Sequence, residues 1–274
     1  MIPFTKMHGI GNDFVILDAI QDPELPSDLT AFARKVNDRR LGIGGDGLVL
    51  LQRGVEAPFR MRMLNPDGSE SEMCGNAIRC IHKLVIDHGH TDLDAFDVET
   101  GAGILHLSKA DQERVRVNMG FARLNRSAIP VLGPPDEKFL DQPVGQVRGT
   151  TVSMGNPHLV IFVDDVSAID LAHLGPQLET DPIFPNRINV HFIQVVNPTH
   201  LIQRTWERGA GPTLACGTGA CAAAVAAFET GRSERVVDIR LPGGHLAIEY
   251  TDSGEVFMTG PAETVFEGLF PLPA

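Results

Sequence analysis

An internal repeat constrains the fold of this chain more than any other feature of its sequence. Two cysteines stand in similar contexts, Met73-Cys74-Gly75-Asn76 and Ala215-Cys216-Gly217-Thr218, 142 residues apart (216 − 74). Three further landmarks recur in the same order at nearly the same spacing: Gly11-Asn12 with Gly155-Asn156, residues 100–105 with 241–246, and residues 117–120 with 257–260. We therefore predict two copies of one unit, folded as two similar domains.

The length supports this division, because 274 residues are many for one hydrophobic core and suit two. Short apolar runs between Gly, Pro and Asp turns predict mostly strands with a few helices. The predicted fold class is α+β, with two pseudo-symmetric domains, each a mostly antiparallel sheet or barrel around a central helix. We place the first half at 1–120, with the tail 263–274 returning to it, and the second half at 121–262.

The helices that follow the two cysteines are predicted to be the central ones. Residues 221–228 carry small side chains on all faces, which indicates a helix buried all round. Ile78, Ile81, Leu84 and Val85 repeat at helical spacing. Two surface helices are expected at 27–40 and 167–178, with Ser27 and Ser167 as their N-caps.

The position of the two cysteines favours chemistry. A helix N-terminus offers unpaired N–H groups and a positive dipole end, which bind anions and lower the pKa of a thiol placed there. The N–H groups of Gly75, Asn76, Gly217 and Thr218 are predicted to hold one carboxylate. A thiol on each face of a bound carbon suits inversion of a stereocentre, since one thiolate removes the proton and the opposite thiol returns one.

Two other interpretations of these motifs are weaker. A four-cysteine zinc site would use Cys80 and Cys221, but both fall inside apolar helices, so we predict small buried hydrophobes there and no metal site. Residues 42–47 match G-x-G-x-x-G, yet a basic helix precedes them and an apolar strand follows. The dinucleotide-binding motif needs the reverse order, so a tight loop is predicted instead.

Charge and hydropathy exclude several partners. The net charge of −12 argues against nucleic-acid or anionic-membrane surfaces, which need clustered Lys and Arg. No apolar stretch approaches the roughly 20 residues of a membrane helix, and the N-terminus does not read as a signal peptide. We expect a cytoplasmic protein whose four cysteines stay reduced.

Several motifs together resemble the diaminopimelate epimerase family, and the resemblance runs from end to end. They are Met7-His8-Gly9-Ile10-Gly11-Asn12-Asp13-Phe14, Asn65-Pro66-Asp67-Gly68-Ser69, Met73-Cys74-Gly75-Asn76, Gly155-Asn156-Pro157-His158, Trp206-Glu207-Arg208-Gly209-Ala210-Gly211 and Ala215-Cys216-Gly217-Thr218-Gly219-Ala220. The resemblance implies a homodimeric isomerase without cofactor or pyridoxal phosphate. It would interconvert LL- and meso-2,6-diaminopimelate in lysine and peptidoglycan precursor biosynthesis.

The family's functional residues match particular positions of this chain. The acid/base pair corresponds to Cys74 and Cys216, in agreement with the repeat. The resemblance implies substrate contacts at Asn12, Asn65, Asn156, Asn189 and Arg208, and an α-carboxylate cradle at Gly75, Asn76, Gly217 and Thr218. Glu207 and His158 match positions that hold the α-amino group and tune the thiols. His158 on its own is more often a structural histidine.

One position departs from the family, and two alternative functions stay open. Some members carry a substrate-contacting glutamine where this chain has Gly47. A related racemase or isomerase with another substrate, such as proline or a phenazine precursor, is one alternative, and a non-catalytic amino-acid-binding protein is the other. The paired thiols disfavour the binding protein and the phenazine type. The polar set Asn65, Asn156, Asn189 and Arg208 favours a substrate with a second carboxylate over proline.

Overall fold

The structure is a computed structural model that describes residues 1–22, 24–111 and 113–271. The chain divides into two compact units, one formed by Met1–Val117 with the described part of Gly260–Ala274 and the other by Asn118–Thr259. The end of the chain therefore packs with its beginning. The domain boundaries remain a prediction: one half at 1–120 with 263–274, and the other at 121–262.

Short strands and four α-helices make up the regular structure of the described residues. The first half of the chain contains β1 (Ile2–Gly9), β2 (Asn12–Asp18), α1 (Leu29–Asn37), β3 (Gly47–Arg53), β4 (Phe59–Leu64), β5 (Glu70–Ser71), α2 (Gly75–Asp87), β6 (Ala95–Thr100), β7 (Gly103–Lys109) and β8 (Arg114–Phe121). The rest contains β9 (Gln142–Val144), β10 (Val147–Ser153), β11 (Pro157–Phe162), α3 (Leu171–Glu179), β12 (Asn189–Asn197), β13 (His200–Glu207), β14 (Gly211–Thr213), α4 (Gly217–Glu229), β15 (Val236–Leu241), β16 (Gly244–Tyr250), β17 (Glu255–Pro261) and β18 (Glu263–Phe270). Short 3₁₀ turns lie at Arg126–Ala128 and Val166–Ala168.

The sheet of the first unit is mixed and mostly antiparallel. Its strands follow the order β18, β1, β2, β3, β4, β6, β7, β8, and the short β5 pairs with the end of β4. Two neighbouring pairs are parallel, β2 with β3 and β4 with β6. α1 connects the first parallel pair and α2 connects the second.

The second unit repeats this topology. Its strands follow the order β9, β10, β11, β12, β13, β15, β16, β17, and β14 pairs with β13 as β5 does with β4. The parallel pairs are again the third and fifth steps, β11 with β12 and β13 with β15, and α3 and α4 connect them. The predicted repeat and the α+β fold class are therefore confirmed.

The central strands are apolar on both faces because helices cover both sides of the sheet. Val15, Leu17, Leu48 and Leu50 pack with α1 in one buried cluster. Since side chains alternate along a strand, the residues between them face the side of α2. This two-sided burial explains the continuous apolar run over β3, which a half-exposed strand would not show.

The helices after the cysteines are buried as predicted, and the surface helices start later than predicted. α4 is buried along almost its whole length. α1 begins at Leu29 with Asp28 as N-cap, and α3 begins at Leu171 with Asp170 as N-cap. The predicted caps Ser27 and Ser167 were wrong, because each aspartate side chain accepts the backbone N–H of the residue three positions on.

Candidate functional site

Both repeated cysteines are helix N-caps. Cys74 immediately precedes α2 and Cys216 immediately precedes α4, and each helix has 13 residues. Both cysteines have extended backbone, and neither side chain caps its own helix by a hydrogen bond. The first intrahelical bonds are donated by Ile78 to Cys74 and by Ala220 to Cys216. The N–H groups of the three residues before each donor thus lie at the free, positive end of a helix.

In the first unit, Asn12 links the thiol to the start of α2. Its Oδ1 accepts from Asn76 Nδ2 at 3.0 Å and lies 3.6 Å from Cys74 Sγ, whose S–H donates to it. Its Nδ2 donates to Asp46 Oδ2 at 2.7 Å. Because the carboxylate can only accept, Asp46 fixes the Asn12 amide with its oxygen toward the thiol.

The fully buried guanidinium of Arg79 stabilises this arrangement. Arg79 is 0% exposed and donates to Asn76 Oδ1 at 2.9 Å, to the Gly75 carbonyl at 2.9 Å and to the Pro261 carbonyl at 3.1 Å. Gly9 has no Cβ where one would lie 2.8 Å from that guanidinium. Hydrogen bonds from the planar, buried guanidinium of Arg79 therefore fix the first turn of α2.

A charged cluster at the end of α1 positions Asp46. Arg39 bridges Asp46 at 2.8 Å and Asp13 at 2.6 Å, and Lys6 pairs with Asp13. Burial alone would raise the pKa of Asp13, but hydrogen bonds from Arg39 and Lys6 hold that pKa below its usual range. Asp13 thus stays ionised at neutral pH, and the loop that carries Asp46 is fixed by charge.

Asn65 and Gly47 lie on neighbouring strands of the same unit. Asn65 follows β4, and its Nδ2 donates to Ser69 Oγ at 3.0 Å across a tight turn. A Cβ on Gly47 would lie 2.8 Å from Met63 Cε and 3.2 Å from the Leu64 carbonyl. Met63 therefore occupies the space that a longer side chain at position 47 would need.

In the second unit, a chain of polar side chains, partly exposed near Cys216 and fully buried beyond, leads to Cys216. Cys216 Sγ lies 3.8 Å from Thr218 Oγ1, which accepts from Asn156 Nδ2 at 3.3 Å. Asn156 Oδ1 lies 2.8 Å from His158 Nε2. His158 Nδ1 lies 2.9 Å from His191 Nε2. His191 Nδ1 in turn lies 3.0 Å from Thr205 Oγ1 and 3.2 Å from Gln203 Nε2.

Both histidines of this chain are neutral at physiological pH. Burial lowers the pKa of His191 to about 3. Burial first, and then the electrostatic effects of His191 and of the positively charged Arg208, lowers the pKa of His158 well below its usual range. A neutral imidazole has one N–H group, which donates, and one unprotonated ring nitrogen, which accepts. Asn156 Oδ1 can only accept. His158 therefore donates from Nε2 and accepts at Nδ1 from His191 Nε2–H.

The two units thus present opposite ends of equivalent asparagines to their thiols. Asn12 turns its oxygen toward Cys74, whereas Asn156 turns its NH₂ group toward Thr218 beside Cys216. Asp46 enforces the first orientation and His158 the second.

The polar chain of the second unit has an apolar counterpart in the first. The strand registers match His158 with Phe14, His191 with Val49, Gln203 with Met61 and Thr205 with Met63. Gly219, the third residue of α4, corresponds to Ala77 of α2. A Cβ on Gly219 would lie 2.3 Å from His191 Cε1. The missing methyl group makes room for the imidazole.

The next group of expected site residues lies at the end of β13, in the loop that follows it and at the start of β12. Asn189 Oδ1 accepts from the Arg208 backbone N–H at 2.9 Å, and Asn189 Nδ2 donates to the Pro157 carbonyl at 2.8 Å. Glu207 Oε1 accepts from Thr213 Oγ1 at 2.6 Å. Asn189 thereby ties this loop to the segment that precedes His158.

A buried carboxylate anchors the same loop. Glu179 accepts from Trp206 Nε1 at 2.7 Å and from the Gly209 backbone N–H at 3.1 Å. Gly175 allows α3 to approach, since a Cβ there would lie 2.4 Å from the Trp206 ring. The residues between Trp206 and Gly209 are therefore held at both ends.

The remaining cysteines are not placed for chemistry. Cys80 and Cys221 are fully buried in α2 and α4. Burial raises the pKa of Cys80 to about 12, so its thiolate is not populated at neutral pH. Within the described part of the chain, no cysteine belongs to a group of potential metal ligands.

Within each unit, the structure joins most expected residues and adds others. Asn12, Gly75 and Asn76 surround Cys74, while Asn156, His158 and Thr218 lead to Cys216. Asn189, at the start of β12, is hydrogen-bonded to Arg208, which directly follows Glu207 at the end of β13. No motif in the sequence indicates a role in the site for Asp46, Arg79, His191 or Gln203. A position-by-position comparison of the two copies would have revealed the polar residues at 191 and 203.

Comparison with known proteins settles the family. The model of the family described as diaminopimelate epimerase matches residues 4–125 and 150–265. The chain belongs to the diaminopimelate epimerase family. Proteins named diaminopimelate epimerase from Desulforudis audaxviator and Moorella thermoacetica are 52% and 50% identical to it over 272 and 278 residues. These alignments cover 97% and 98% of the chain and 98% and 99% of the relatives. This diaminopimelate epimerase family member is an enzyme of the isomerase class.

Solved structures share the fold of the diaminopimelate epimerase family at low sequence identity. A phenazine biosynthesis protein of the PhzF family from Bacillus anthracis gives a TM-score of 0.72 at 15% identity, with 97% of this chain and 98% of that chain covered. A probable proline racemase from Agrobacterium radiobacter K84 gives 0.67 at 16% identity, covering 100% and 94%. These likenesses support the fold alone. In the described residues, no helix is long and apolar enough to cross a membrane.

Proposed function

We propose that the chain interconverts LL- and meso-2,6-diaminopimelate by inverting one α-carbon. The observation that carries this proposal is the pair of cysteine N-caps, Cys74 and Cys216, at equivalent positions of two units with the same topology. Family membership supplies the substrate, because relatives near 50% identity over almost their whole length bear that name. A related cysteine-pair racemase with another substrate is the alternative.

In the proposed mechanism, the substrate's α-carboxylate binds to backbone N–H groups at the starts of α2 and α4. The donors would be Gly75, Asn76, Gly217 and Thr218. Helix dipoles stabilise the carboxylate there and also the negative charge that develops when the α-proton leaves. No metal or pyridoxal phosphate takes part in this proposal.

The two thiols would share the proton transfer. One cysteine, as thiolate, removes the α-proton from one face, and the other, as thiol, delivers a proton to the opposite face. After one turnover the two protonation states have exchanged, so the same site runs the reaction in both directions. Cys80 and Cys221 take no part.

The remaining expected residues would orient the substrate. Glu207 would accept from the α-ammonium group and, with His158, tune the thiols, while the distal amino-acid end would contact Asn12, Asn65, Asn156, Asn189 and Arg208. The guanidinium suits a distal carboxylate. At position 47, where some relatives carry glutamine, Met63 fills the space, so a backbone or water contact replaces that side chain.

The cellular setting is part of the same proposal. We place the enzyme in the cytoplasm as a homodimer that acts on a small molecule, without nucleic-acid or membrane partners. The net charge of −12 supports the last point. The halves 1–120 with 263–274 and 121–262 would each supply one cysteine.

Solvent exchange tests the function directly. Purified protein in ²H₂O should incorporate α-deuterium into LL-diaminopimelate and form the meso isomer, but should leave proline and glutamate unlabelled. The reaction should persist after treatment with a chelator and without added pyridoxal phosphate. Labelling of proline but not of diaminopimelate would favour the alternative racemase, and loss of activity with chelator in protein that stays folded by circular dichroism would contradict the cofactor-free mechanism.

A further inference from the structure

Three potential metal ligands converge at the C-terminal end of α2. His88 Nδ1 and His90 Nε2 lie 2.7 Å and 2.6 Å from the same oxygen, Oδ2 of Asp18. All three donor atoms lie within 4.8 Å of one another. Two imidazoles and one carboxylate form a donor set typical of divalent transition-metal ions.

The backbone holds each of these ligands in place. His88 is the C-cap of α2, Gly89 adopts a left-handed conformation with φ of 67°, and the His90 N–H donates to the Val85 carbonyl at 3.0 Å. This helix end turns both rings toward the end of β2, where Asp18 lies. The ligand geometry therefore follows from a fixed turn and a strand terminus.

The second oxygen of Asp18 has its own partners. Asp18 Oδ1 accepts from the backbone N–H groups of Ile20 at 3.1 Å and Gln21 at 3.2 Å. These bonds orient the carboxylate and leave Oδ2 to face the imidazoles. Backbone support of this kind is usual around metal-binding carboxylates.

The surroundings favour a cation. The site lies at the negative end of the α2 dipole. Asp18 and His88 line a cavity of about 740 Å³ together with Asp22, Asp87 and Glu267. Glu267 Oε1 lies 4.0 Å from His88 Nε2, the ring nitrogen that faces away from Asp18. At this distance Glu267 adds negative charge near the imidazole without forming a hydrogen bond to it.

We propose that Asp18, His88 and His90 bind one Zn²⁺-like transition-metal ion, with a remaining position open to the cavity. His88 Nδ1, His90 Nε2 and Asp18 Oδ2 would coordinate it, each imidazole carrying its hydrogen on the other ring nitrogen. The thiol Cys74 lies at the opposite end of the 13-residue helix, so the ion stabilises the unit and takes no part in proton transfer. This proposal does not rest on the proposed function.

Metal titration of the full chain tests it. Chelator-treated protein should bind one Zn²⁺ per chain by calorimetry, and Co²⁺ should give ligand-field absorption bands. His90→Gln and His88→Gln should each weaken Zn²⁺ binding by roughly 100-fold or more, since even loss of an outer-shell partner costs about 10–100-fold. His106→Gln and His245→Gln are matched controls, because each removes an exposed histidine bound to a single aspartate, at 2.8 Å and 2.6 Å, and should change nothing.

Thiols are the competing ligands, so the titration is repeated with Cys74→Ala/Cys216→Ala protein. Binding that persists there and disappears with His90→Gln supports the site. Binding lost with the cysteines but retained in both histidine variants overturns it, as does the absence of stoichiometric binding. If either histidine variant misfolds by circular dichroism, Asp18→Asn, which keeps the shape of the side chain, decides the same question.

A second inference rests on the proposed function and concerns His191. We infer that His191 is a positioning residue that acts through His158 on the amide of Asn156. Its Nε2–H donates to His158 Nδ1, which leaves only His158 Nε2–H for Asn156 Oδ1. The Asn156 NH₂ group is thereby directed toward Thr218, next to Cys216.

The contrast between the two units supports a role beyond packing. At the equivalent positions the first unit has Val49 and Ala77, whereas the second has His191 and Gly219, and only for the latter two does the structure show a close approach. Burying two neutral imidazoles in a bonded chain is costlier than burying valine and phenylalanine. Only the second unit therefore has this less favourable burial of imidazoles, and it occurs in the polar chain that leads to Cys216.

The apolar pair of the first unit provides the test. The double variant His191→Val/Gly219→Ala reproduces the packing of Val49 and Ala77 and removes the hydrogen bond to His158. We expect a folded protein whose kcat for both isomers falls on the order of 10-fold to 100-fold, as for a misplaced reacting group. The pH profile of kcat/KM should shift, and His191→Gln, which keeps an N–H donor, should recover part of the rate.

Ile193→Val is the packing control, because Ile193 lies two residues along the same face of β12 and is fully buried. It should leave kcat and the pH profile unchanged. Wild-type kinetics and pH profile in the folded double variant would overturn the positioning role. Absence of epimerase activity in the wild-type protein would instead overturn the proposed function. If the double variant does not fold, His191→Asn, whose shorter amide lies farther from His158, replaces it in the test, and wild-type kcat and pH profile in His191→Asn would contradict the inference.

Discussion

His158 Nδ1 lies 2.9 Å from His191 Nε2, and both imidazoles are buried and neutral. In this bond the N–H group of His191 donates and His158 accepts. It also makes protein stability depend on pH in a defined window.

The first prediction is a loss of stability below pH 6.5. An unfolded histidine has a pKa near 6.5, whereas burial lowers the pKa of His191 to about 3 in the fold. Between these values the unfolded state binds the extra proton, so stability is complete above pH 6.5 and falls as pH decreases through that value. His191 alone should cost about 2 kcal/mol between pH 7 and pH 5.

Urea unfolding at both pH values, for the wild type and for His191→Val/Gly219→Ala, measures this contribution. Groups that do not contact His191 titrate alike in both proteins and cancel, and burial, the main cause of the lowered pKa of His158, is kept in the variant. The variant should lose about 2 kcal/mol less than the wild type on acidification. Equal losses in the two proteins would show that His191 is protonated in the fold.

The second prediction separates the four cysteines. Replacing Cys74 or Cys216 with alanine should lower epimerisation by at least roughly 10²–10⁴-fold, because inversion needs a base on one face and an acid on the other. Each variant should retain solvent exchange with at most one isomer. Cys80→Ala and Cys221→Ala, which remove buried sulfur atoms inside the helices, should keep near wild-type kcat.

Epimerisation and deuterium uptake measured on separate LL and meso substrates distinguish these outcomes. Circular dichroism serves as the folding control for the buried positions. Near wild-type epimerisation by Cys74→Ala or Cys216→Ala would rule out the two-thiol mechanism.

The third prediction concerns the departure at Gly47. Gly47→Gln should destabilise the protein by about 1 kcal/mol, the low end of the usual cost of overpacking, because its Cβ would lie 2.8 Å from Met63 Cε, the end of a flexible side chain that can move aside. Gly47→Gln/Met63→Ala frees that space and should recover much of the stability. Thermal unfolding of both variants and of Met63→Ala alone forms a double-mutant cycle. Additive effects would mean that Met63 does not fill the site.

The sequence revealed the repeat, the two helices and their cysteines because these features are local or recur at a fixed spacing. Cys74 and Cys216 could be found from neighbouring glycines and from the apolar helices behind them. The capping aspartates Asp28 and Asp170 were missed because serine and aspartate are both good N-caps within a few residues. Family resemblance, rather than any local pattern, indicated Asn189.

The polar chain could not be predicted because it depends on strand pairing. His158, His191 and Thr205 lie on three different strands and meet only in the register that places them on one face. A single histidine in an apolar strand gives no sign of its partner. Gly219 looked like part of a glycine-rich helix start, but its missing side chain is needed for His191.

The last prediction follows from that missing side chain. Helix propensity alone says that Gly219→Ala should stabilise α4 by up to about 1 kcal/mol. The new methyl group, however, would lie 2.3 Å from His191 Cε1, and relief of such a clash costs about 1–3 kcal/mol. The steric cost is larger, so the single variant should melt at a lower temperature and lose activity as His191 moves from His158. Adding His191→Val should restore the melting temperature but not kcat, and calorimetry with steady-state kinetics on the wild type and the two variants would reveal this difference. A Gly219→Ala protein with increased melting temperature and full kcat would show that His191 tolerates the methyl group and that its position does not matter.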